Sequence, residues 1–261
     1  VDLREAQPEV WAALLPCLEG LDWVAVDMAE WTPPELQEWG PRVVHPAIDP
    51  FSPRNMQMSR EMVAEIIGQF GIDVSRPLIT QIAPLDRSHD PLGAIEVFEQ
   101  VKQVVPEVQM ALVACPTPQN AELGRVFEPI VRKFNQHPDL HVFLDPGRVG
   151  NLEANAFHRA STVVVQRSIS KGFFLRASEV AWKGKPVVAC PKGGIPLQVL
   201  DKETGFLASD AETFANRVVY LLRQPEEARR MGAAGREHVR QHFLVPRLLS
   251  DYLELYRGVA A

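Results

Sequence analysis

The chain has 261 residues, a formal net charge of −6 and 46% hydrophobic residues, which is typical of a globular protein with one large or two smaller domains. The negative charge argues against a nucleic-acid-binding surface, although it allows a local basic pocket. No apolar stretch approaches the roughly 20 residues that span a bilayer. The three cysteines are far apart and fit a reducing compartment, so a cytoplasmic location is expected.

The first part of the chain has few regular elements. A helix is predicted at residues 9–21, a strand at 23–27 and a short helix at 33–39. The next stretch is extended and is punctuated by prolines at positions 41, 46, 50 and 53. Because so short a segment cannot bury a core alone, residues 1–52 are expected to be the end of a larger N-terminal domain with its linker.

The middle of the chain alternates apolar strands with amphipathic helices, which predicts a doubly wound, Rossmann-like parallel sheet of the α/β class. The predicted strands are 77–83, 109–115, 140–144, 161–165 and 186–190. The predicted helices between them are 92–105, 121–134, 152–159 and one that ends at 183–184. Two further amphipathic helices, 225–241 and 245–256, complete the chain. Ligands of such sheets bind outside the carboxyl ends of the strands.

Residues 168–188 form the most informative stretch. A loop that contains Gly172 leads into a helix, and Lys185-Pro186 then leads into a buried strand. This order places a helix N-terminus at the ligand-binding edge of the sheet, where backbone N–H groups favour an anion.

Several stretches together carry a resemblance to a known family: 44–50, 77–81, 153–157, 181–187, 193–195 and 203–207. With them the chain resembles the retaining glycosyltransferases of the GT-B fold, group 1 (glycosyltransferase family 4). Within that family it is most similar to the glycosyltransferring trehalose synthases. The resemblance implies a nucleotide-sugar-binding domain at 53–243 and a remnant of the acceptor-side domain at 1–52. It also implies that residues 244–261 form a helix that crosses back to the N-terminal portion.

The resemblance also implies a ligand set and site residues. The donor would be a nucleotide sugar such as UDP- or ADP-glucose, with a sugar as acceptor and without a metal or other cofactor. Glu179 would accept hydrogen bonds from the ribose hydroxyls, because a carboxylate can accept from two neighbouring hydroxyls. The turn Gly193-Gly194-Ile195 would face the diphosphate, and Arg148 would hold the base.

Four positions depart from the family pattern. Lys171 stands where the family has a glutamate that contacts the donor sugar, and Phe174 stands where glycine is usual. Pro84 and His89 occupy the positions of an arginine and a lysine that bind phosphate. A lysine reverses the local charge, and a proline offers neither charge nor N–H. Positive charge from Arg87, Lys171 and Arg176 would compensate, unless these are solvated surface charges.

Two interpretations therefore follow from the sequence. One is a trehalose-synthase-like enzyme that transfers glucose when a full N-terminal domain is present. The alternative is a catalytically degenerate relative, a pseudoenzyme that keeps the fold for binding or assembly, and a domain that binds another anion is a third option. The nucleotide base, the sugar, the acceptor and a homodimeric state are left open. For the chain by itself we expect no glucosyl transfer to glucose.

Overall fold

The structure is a computed structural model that describes residues 8–18, 20–32, 34–37, 40–84, 86–114, 123–134, 136–145, 148–169 and 172–259. Packing divides the chain into two compact units. The smaller comprises Val1–Ala47 and Phe243–Ala261, and the larger comprises Ile48–His242. Whether the smaller unit is the remnant of an acceptor-side domain stays a prediction.

The helices and strands of the described residues follow the predicted alternation along most of the chain. The helices are α1 (Pro8–Leu18), α2 (Pro34–Gln37), α3 (Arg60–Gly68), α4 (Pro91–Val104), α5 (Leu123–Phe134), α6 (Asn151–Ala160), α7 (Arg176–Trp182), α8 (Ile195–Gln198), α9 (Ala211–Arg223), α10 (Pro225–His242) and α11 (Val245–Val259). The strands are β1 (Ala25–Val26), β2 (Arg42–Val43), β3 (Leu78–Ala83), β4 (Gln109–Ala114), β5 (Leu140–Phe143), β6 (Val163–Gln166), β7 (Val187–Ala189) and β8 (Gly205–Leu207).

A six-stranded parallel sheet forms the centre of the larger unit, in the order β5-β4-β3-β6-β7-β8. Strands β3 and β4 pair along their whole length, from Leu78 opposite Gln109 to Ala83 opposite Ala114. Both strands are buried throughout, as expected for a sheet covered by helices on both faces. The predicted Rossmann-like parallel fold is therefore confirmed.

Alternate side chains of the central strands enter two different hydrophobic clusters. Ile79 packs in one cluster with Phe98 and Phe214, on the face covered by α4 and α9. Leu78 and Ile82 pack in the other with Phe157, on the face covered by α3 and α6. The two-residue period of the strands explains this division, because successive side chains point to opposite faces.

The smaller unit contains the parallel pair β1–β2 and helix α11. Arg247 on α11 donates hydrogen bonds to the carbonyl oxygens of His45 and Pro46, at 2.8 and 3.2 Å, and pairs with Asp251. The predicted helix at 9–21 ends earlier, at Leu18, and the predicted strand at 23–27 is reduced to Ala25–Val26.

Five elements were absent from the sequence prediction: α3, α8, α9, β2 and β8. Helices α3 and α9 carry a usable N-cap signal. The Ser59 hydroxyl accepts a hydrogen bond from Met62 N, and the Asp210 carboxylate accepts one from Thr213 N. The ends of the predicted strand at 109–115 and helix at 121–134 lie partly outside the described residues.

Candidate functional site

The candidate site lies at the carboxyl edge of the sheet, where the loops after β3, β5, β6 and β7 meet the N-termini of the helices that follow. Helix α7 begins at this edge, since it follows β6, and it runs back to the amino edge before β7 begins. The helix therefore presents its first residues to the site and its last residues to the opposite edge.

Glu179 lies on α7 in an ion pair. Its Oε2 accepts a hydrogen bond from Arg54 Nε at 2.8 Å, and the two side chains are only 13% and 22% exposed. Arg54 Nη1 also donates to Asn151 Oδ1, at 3.1 Å. Glu179 Oε1 accepts no hydrogen bond within the described part of the chain. The carboxylate is thus held in place while one of its oxygens remains available as an acceptor.

Gln198 on α8 connects the start of α7 with the two loops beside it. This fully buried amide accepts hydrogen bonds from the backbone N and the hydroxyl of Ser178, at 3.1 and 2.8 Å. Its Nε2 donates to the carbonyl oxygens of Phe174 and Gly194, at 3.0 and 3.2 Å. Sequence reasoning missed this residue, because a glutamine four residues beyond a glycine pair gives no local sign of burial.

The glycine turn after β7 is covered by the loop after β6. Gly193 has a left-handed φ of +58°, which favours glycine. Gly194 N donates to Gly172 O at 3.3 Å, and Ile195 N donates to Lys192 O at 3.2 Å. A Cβ added at Gly194 would lie 2.5 Å from Cδ2 of Phe173, so this ring lies directly on the turn. In this conformation the two N–H groups are bonded to backbone carbonyls.

His89 is buried beside the same loop. Its Nδ1 lies 2.8 Å from Asp86 Oδ1, and its ring packs edge-on against Phe174 at a centroid distance of 5.1 Å. Burial lowers the pKa of His89, Asp86 opposes that effect, and the nearby positive charge of Arg176 adds to it. The hydrogen bonds from Ser88 and His89 hold the pKa of Asp86 below its ordinary value against the effect of its burial.

These charges fix the tautomer of His89. A neutral imidazole that bonds an ionised Asp86 carries its proton on Nδ1, which leaves Nε2 as an acceptor. Nε2 is buried and has no hydrogen-bond partner among the described residues. At neutral pH His89 is therefore an acceptor at the position where the resemblance implies a phosphate-binding lysine.

The structure describes two of the three residues that were predicted to supply compensating positive charge. Arg176 opens α7, is only partly exposed, and has a buried Nε without a hydrogen-bond partner in the described part of the chain. Arg87 is exposed in the loop after β3. Lys171, the third, lies outside the described residues. Arg176 is thus the described cation best placed to meet an anion at this edge.

Arg148 contacts the segment that follows α3. Its guanidinium lies 5.2 Å from the centre of the Phe70 ring and donates to Gln69 O at 3.4 Å. The loop that carries it ends at Gly150, whose N–H donates to Glu153 Oε2 at the start of α6. The base-binding role of Arg148 stays a prediction.

Within the described ranges no three His, Cys, Asp or Glu side chains cluster in a way that could hold a metal ion. No helix among them is long and apolar enough to cross a membrane.

The fold and the sequence together define the class of protein. The family described as "Glycosyl transferases group 1" matches residues 62–238. The chain therefore belongs to the group 1 glycosyltransferases.

Two individual relatives match almost the whole chain. The chain is 40% identical to a trehalose synthase from Rubrobacter xylanophilus, over 98% of its own length and 61% of that protein. It is 35% identical to a trehalose synthase from Pyrococcus horikoshii, over 99% of its length and 62% of that protein. The chain thus spans about three fifths of the curated relatives it matches.

Solved structures share the GT-B fold with the chain at lower identity. Sucrose-phosphate synthase from Thermosynechococcus elongatus matches 99% of this chain and 63% of its own, with a TM-score of 0.73 at 22% identity. Anabaena Alr3699/HepE in complex with UDP matches 97% of this chain and 69% of its own, with a TM-score of 0.77 at 14% identity. The family match and the trehalose synthase relatives, in contrast, do not favour the pseudoenzyme alternative.

Proposed function

We propose that the chain forms the nucleotide-sugar-binding part of a retaining, trehalose-synthase-like glycosyltransferase, which transfers a glucosyl group from a nucleotide-glucose to a sugar acceptor. The observation that carries the proposal is the site around Glu179, with Arg54 and Arg176 beside it, in a chain 40% identical to a trehalose synthase. Structural neighbours in complex with UDP and with UDP-glucose support the choice of donor class.

Glu179 is proposed to bind the ribose of the donor. Arg54 holds Oε2 at 2.8 Å, and Oε1 is the oxygen that would accept from the ribose hydroxyls. A carboxylate suits this role because it can accept hydrogen bonds from two neighbouring hydroxyls.

Arg176 is proposed to neutralise the diphosphate, in place of the cations that Pro84 and His89 do not supply. A guanidinium suits this role because it stays charged and donates to two oxygens at once. Ordered cations of this kind stabilise the charge that develops on a leaving diphosphate, so the proposal requires no metal.

Binding requires the loop at Gly172–Phe174 to move. The Gly172 carbonyl oxygen accepts a hydrogen bond from the Gly194 N–H, and the Phe173 ring covers the glycine turn. Displacement of this loop would release the N–H for a phosphate oxygen. It would also remove Phe174 from His89, whose Nε2 would then accept a hydrogen bond from a sugar hydroxyl.

The remaining parts of the proposal concern the whole protein. The acceptor sugar is proposed to bind outside the larger unit, as the resemblance implies for the acceptor-side domain. A cytoplasmic location fits the widely spaced cysteines. A homodimer stays a prediction.

Calorimetric titration with UDP, ADP and uridine tests the proposal. Glu179→Gln removes the charge but not the shape, and we expect it to weaken binding of both UDP and uridine by about 10- to 100-fold. Arg176→Gln is expected to weaken UDP but not uridine, which lacks the diphosphate. Glu212→Gln, an exposed position on α9, is the matched control and is expected to match the wild type. The proposal fails if neither UDP nor ADP binds the wild type, or if Glu179→Gln binds as the wild type does.

A further inference from the structure

A second charged cavity lies at the opposite edge of the sheet. It has a volume of about 580 Å³, and Val74, Ala160 and Lys185 on its wall precede β3, β6 and β7, respectively. We call this cavity the basic pocket, because four of its lining side chains are cationic: Arg60, Arg159, Lys183 and Lys185.

The basic pocket contains positive charge without a matching carboxylate. No Asp or Glu is among its lining residues. Over the described part of the chain, none of the four cations forms an ion pair with a carboxylate. The nearby Glu179 is paired with Arg54, and Glu61 bonds Ser59 and its own backbone N–H. Such a concentration is unexpected in a protein of net charge −6.

Burial makes this arrangement costly. Lys183 is only 8% exposed, and its Nζ donates to two neutral oxygens, Asn55 Oδ1 at 3.0 Å and Glu179 O at 2.8 Å. Burial lowers the pKa of Lys183 to about 7; the negative charge of Glu179 opposes this shift, and the positive charge of Arg159 adds to it. Burial and the positive charges of Arg159 and Arg60 lower the pKa of Lys185 to about 8. A bound anion would relieve the repulsion and favour the charged forms.

The backbone contributes to the same pocket. Helix α3 begins at Arg60, and Ser59 and Arg60 both line the cavity. The N-terminus of a helix carries a partial positive charge, and its first N–H groups lack partners within the helix. The Ser59 hydroxyl satisfies Met62 N and the Glu61 carboxylate bonds its own backbone N–H, which leaves Arg60 N as the remaining donor of the first turn.

We propose that the basic pocket binds a phosphate-bearing small molecule, at a site separate from the nucleotide-sugar site. Four cations and a helix N-terminus suit a doubly charged phosphate group better than a single carboxylate. The volume lies within the range typical of small-molecule sites, so it accommodates a phosphorylated metabolite as well as free phosphate.

Calorimetric titration at pH 7 and low ionic strength tests this inference, with inorganic phosphate, pyrophosphate and glucose 6-phosphate as probes. We expect at least one probe to bind, and the double variant Arg60→Gln/Lys185→Gln to weaken it at least tenfold. Arg132→Gln/Arg229→Gln removes the same charge from exposed positions paired with Glu128 and Glu226, and should change the affinity less than twofold. Tighter binding of glucose 6-phosphate than of phosphate would indicate a phosphorylated metabolite, and equal affinities would indicate free phosphate.

The Arg176→Gln variant distinguishes the basic pocket from the site at the carboxyl edge, because Arg176 belongs to the latter. This variant is expected to bind the probe as the wild type does. The conservative double variant Arg60→Lys/Lys185→Arg should keep most of the wild-type affinity for the probe, because both positive charges are kept. The inference is overturned if no probe binds, if the control variant weakens binding as much as the pocket variant, or if Arg176→Gln abolishes it.

Discussion

The two ends of helix α7 differ in the way their charges are arranged. At the carboxyl edge of the sheet, Glu179 is paired with Arg54, and Arg176 stands beside neutral His89. At the amino edge, Lys183 and Lys185 face two arginines without a carboxylate. Charges of both signs suit a ligand with hydroxyl and phosphate groups, whereas a purely positive pocket suits an anion alone.

The comparison shows that the same short helix supports two kinds of recognition. Its first residues are fixed by Gln198, which bonds Ser178 and the loops on either side. Its last residues are fixed by Lys183, which bonds Asn55 and Glu179 O. A substitution at either anchor should therefore affect one end more than the other.

The largest effect is expected at Gln198. Gln198→Leu removes the amide and leaves Ser178 N and the carbonyl oxygens of Phe174 and Gly194 without their partner. A buried group left unpaired costs about 1–3 kcal/mol, so we expect a loss of at least 2 kcal/mol in the free energy of unfolding. Urea unfolding measures this loss of stability.

Gln103→Leu is the control, since Gln103 is exposed on α4 and its replacement should change the free energy of unfolding by less than about 0.5 kcal/mol. Equal stability of Gln198→Leu and Gln103→Leu would show that Gln198 does not anchor this end of α7.

A smaller effect is expected from the pH dependence at Lys183. Its pKa is about 7 in the folded chain, against the ordinary 10.5, so between these values the unfolded chain holds more protons. Stability should therefore rise with pH above 7, by at most about 1.4 kcal/mol per pH unit from this group. In Lys183→Met the rise should be reduced, leaving the contribution of Lys185, which has the same sign.

Urea unfolding between pH 7 and 9 measures this difference. Trp182→Phe, a substitution on the same helix that does not titrate, should keep the slope of the wild type. A slope in Lys183→Met identical to that of the wild type would contradict the assignment of a buried, destabilised lysine to the amino edge.

The sequence predicted the scaffold better than the site. Alternating apolar strands and helices are local patterns, and they identified the parallel sheet and the position of Glu179 on α7. The partners of Glu179 and Ser178 are far away in sequence: Arg54 precedes Glu179 by 125 residues, and Gln198 follows Ser178 by 20. Such pairings depend on how the elements pack, so local patterns could not predict them.

The basic pocket could not be predicted from the sequence for the same reason. Its residues come from distant parts of the chain: Arg60 begins α3, Arg159 lies on α6, and Lys185 precedes β7. Helix α3 itself was not predicted. The covering of Gly194 by Phe173 also depends on tertiary structure, whereas the bulk of Phe174 in this loop follows from the sequence itself.

Hydrogen–deuterium exchange with and without UDP-glucose tests the central claim most directly, because it reports on both ends of α7 in one experiment. The account predicts that saturating UDP-glucose changes exchange at 172–182 and 192–195, where the loop, Glu179 and the glycine turn lie. It predicts no change at 57–64 and 183–187, around the basic pocket. In Glu179→Gln the changes should be lost at the same ligand concentration. Changes confined to the basic pocket, or none at saturation, would contradict a nucleotide-sugar site at the carboxyl edge.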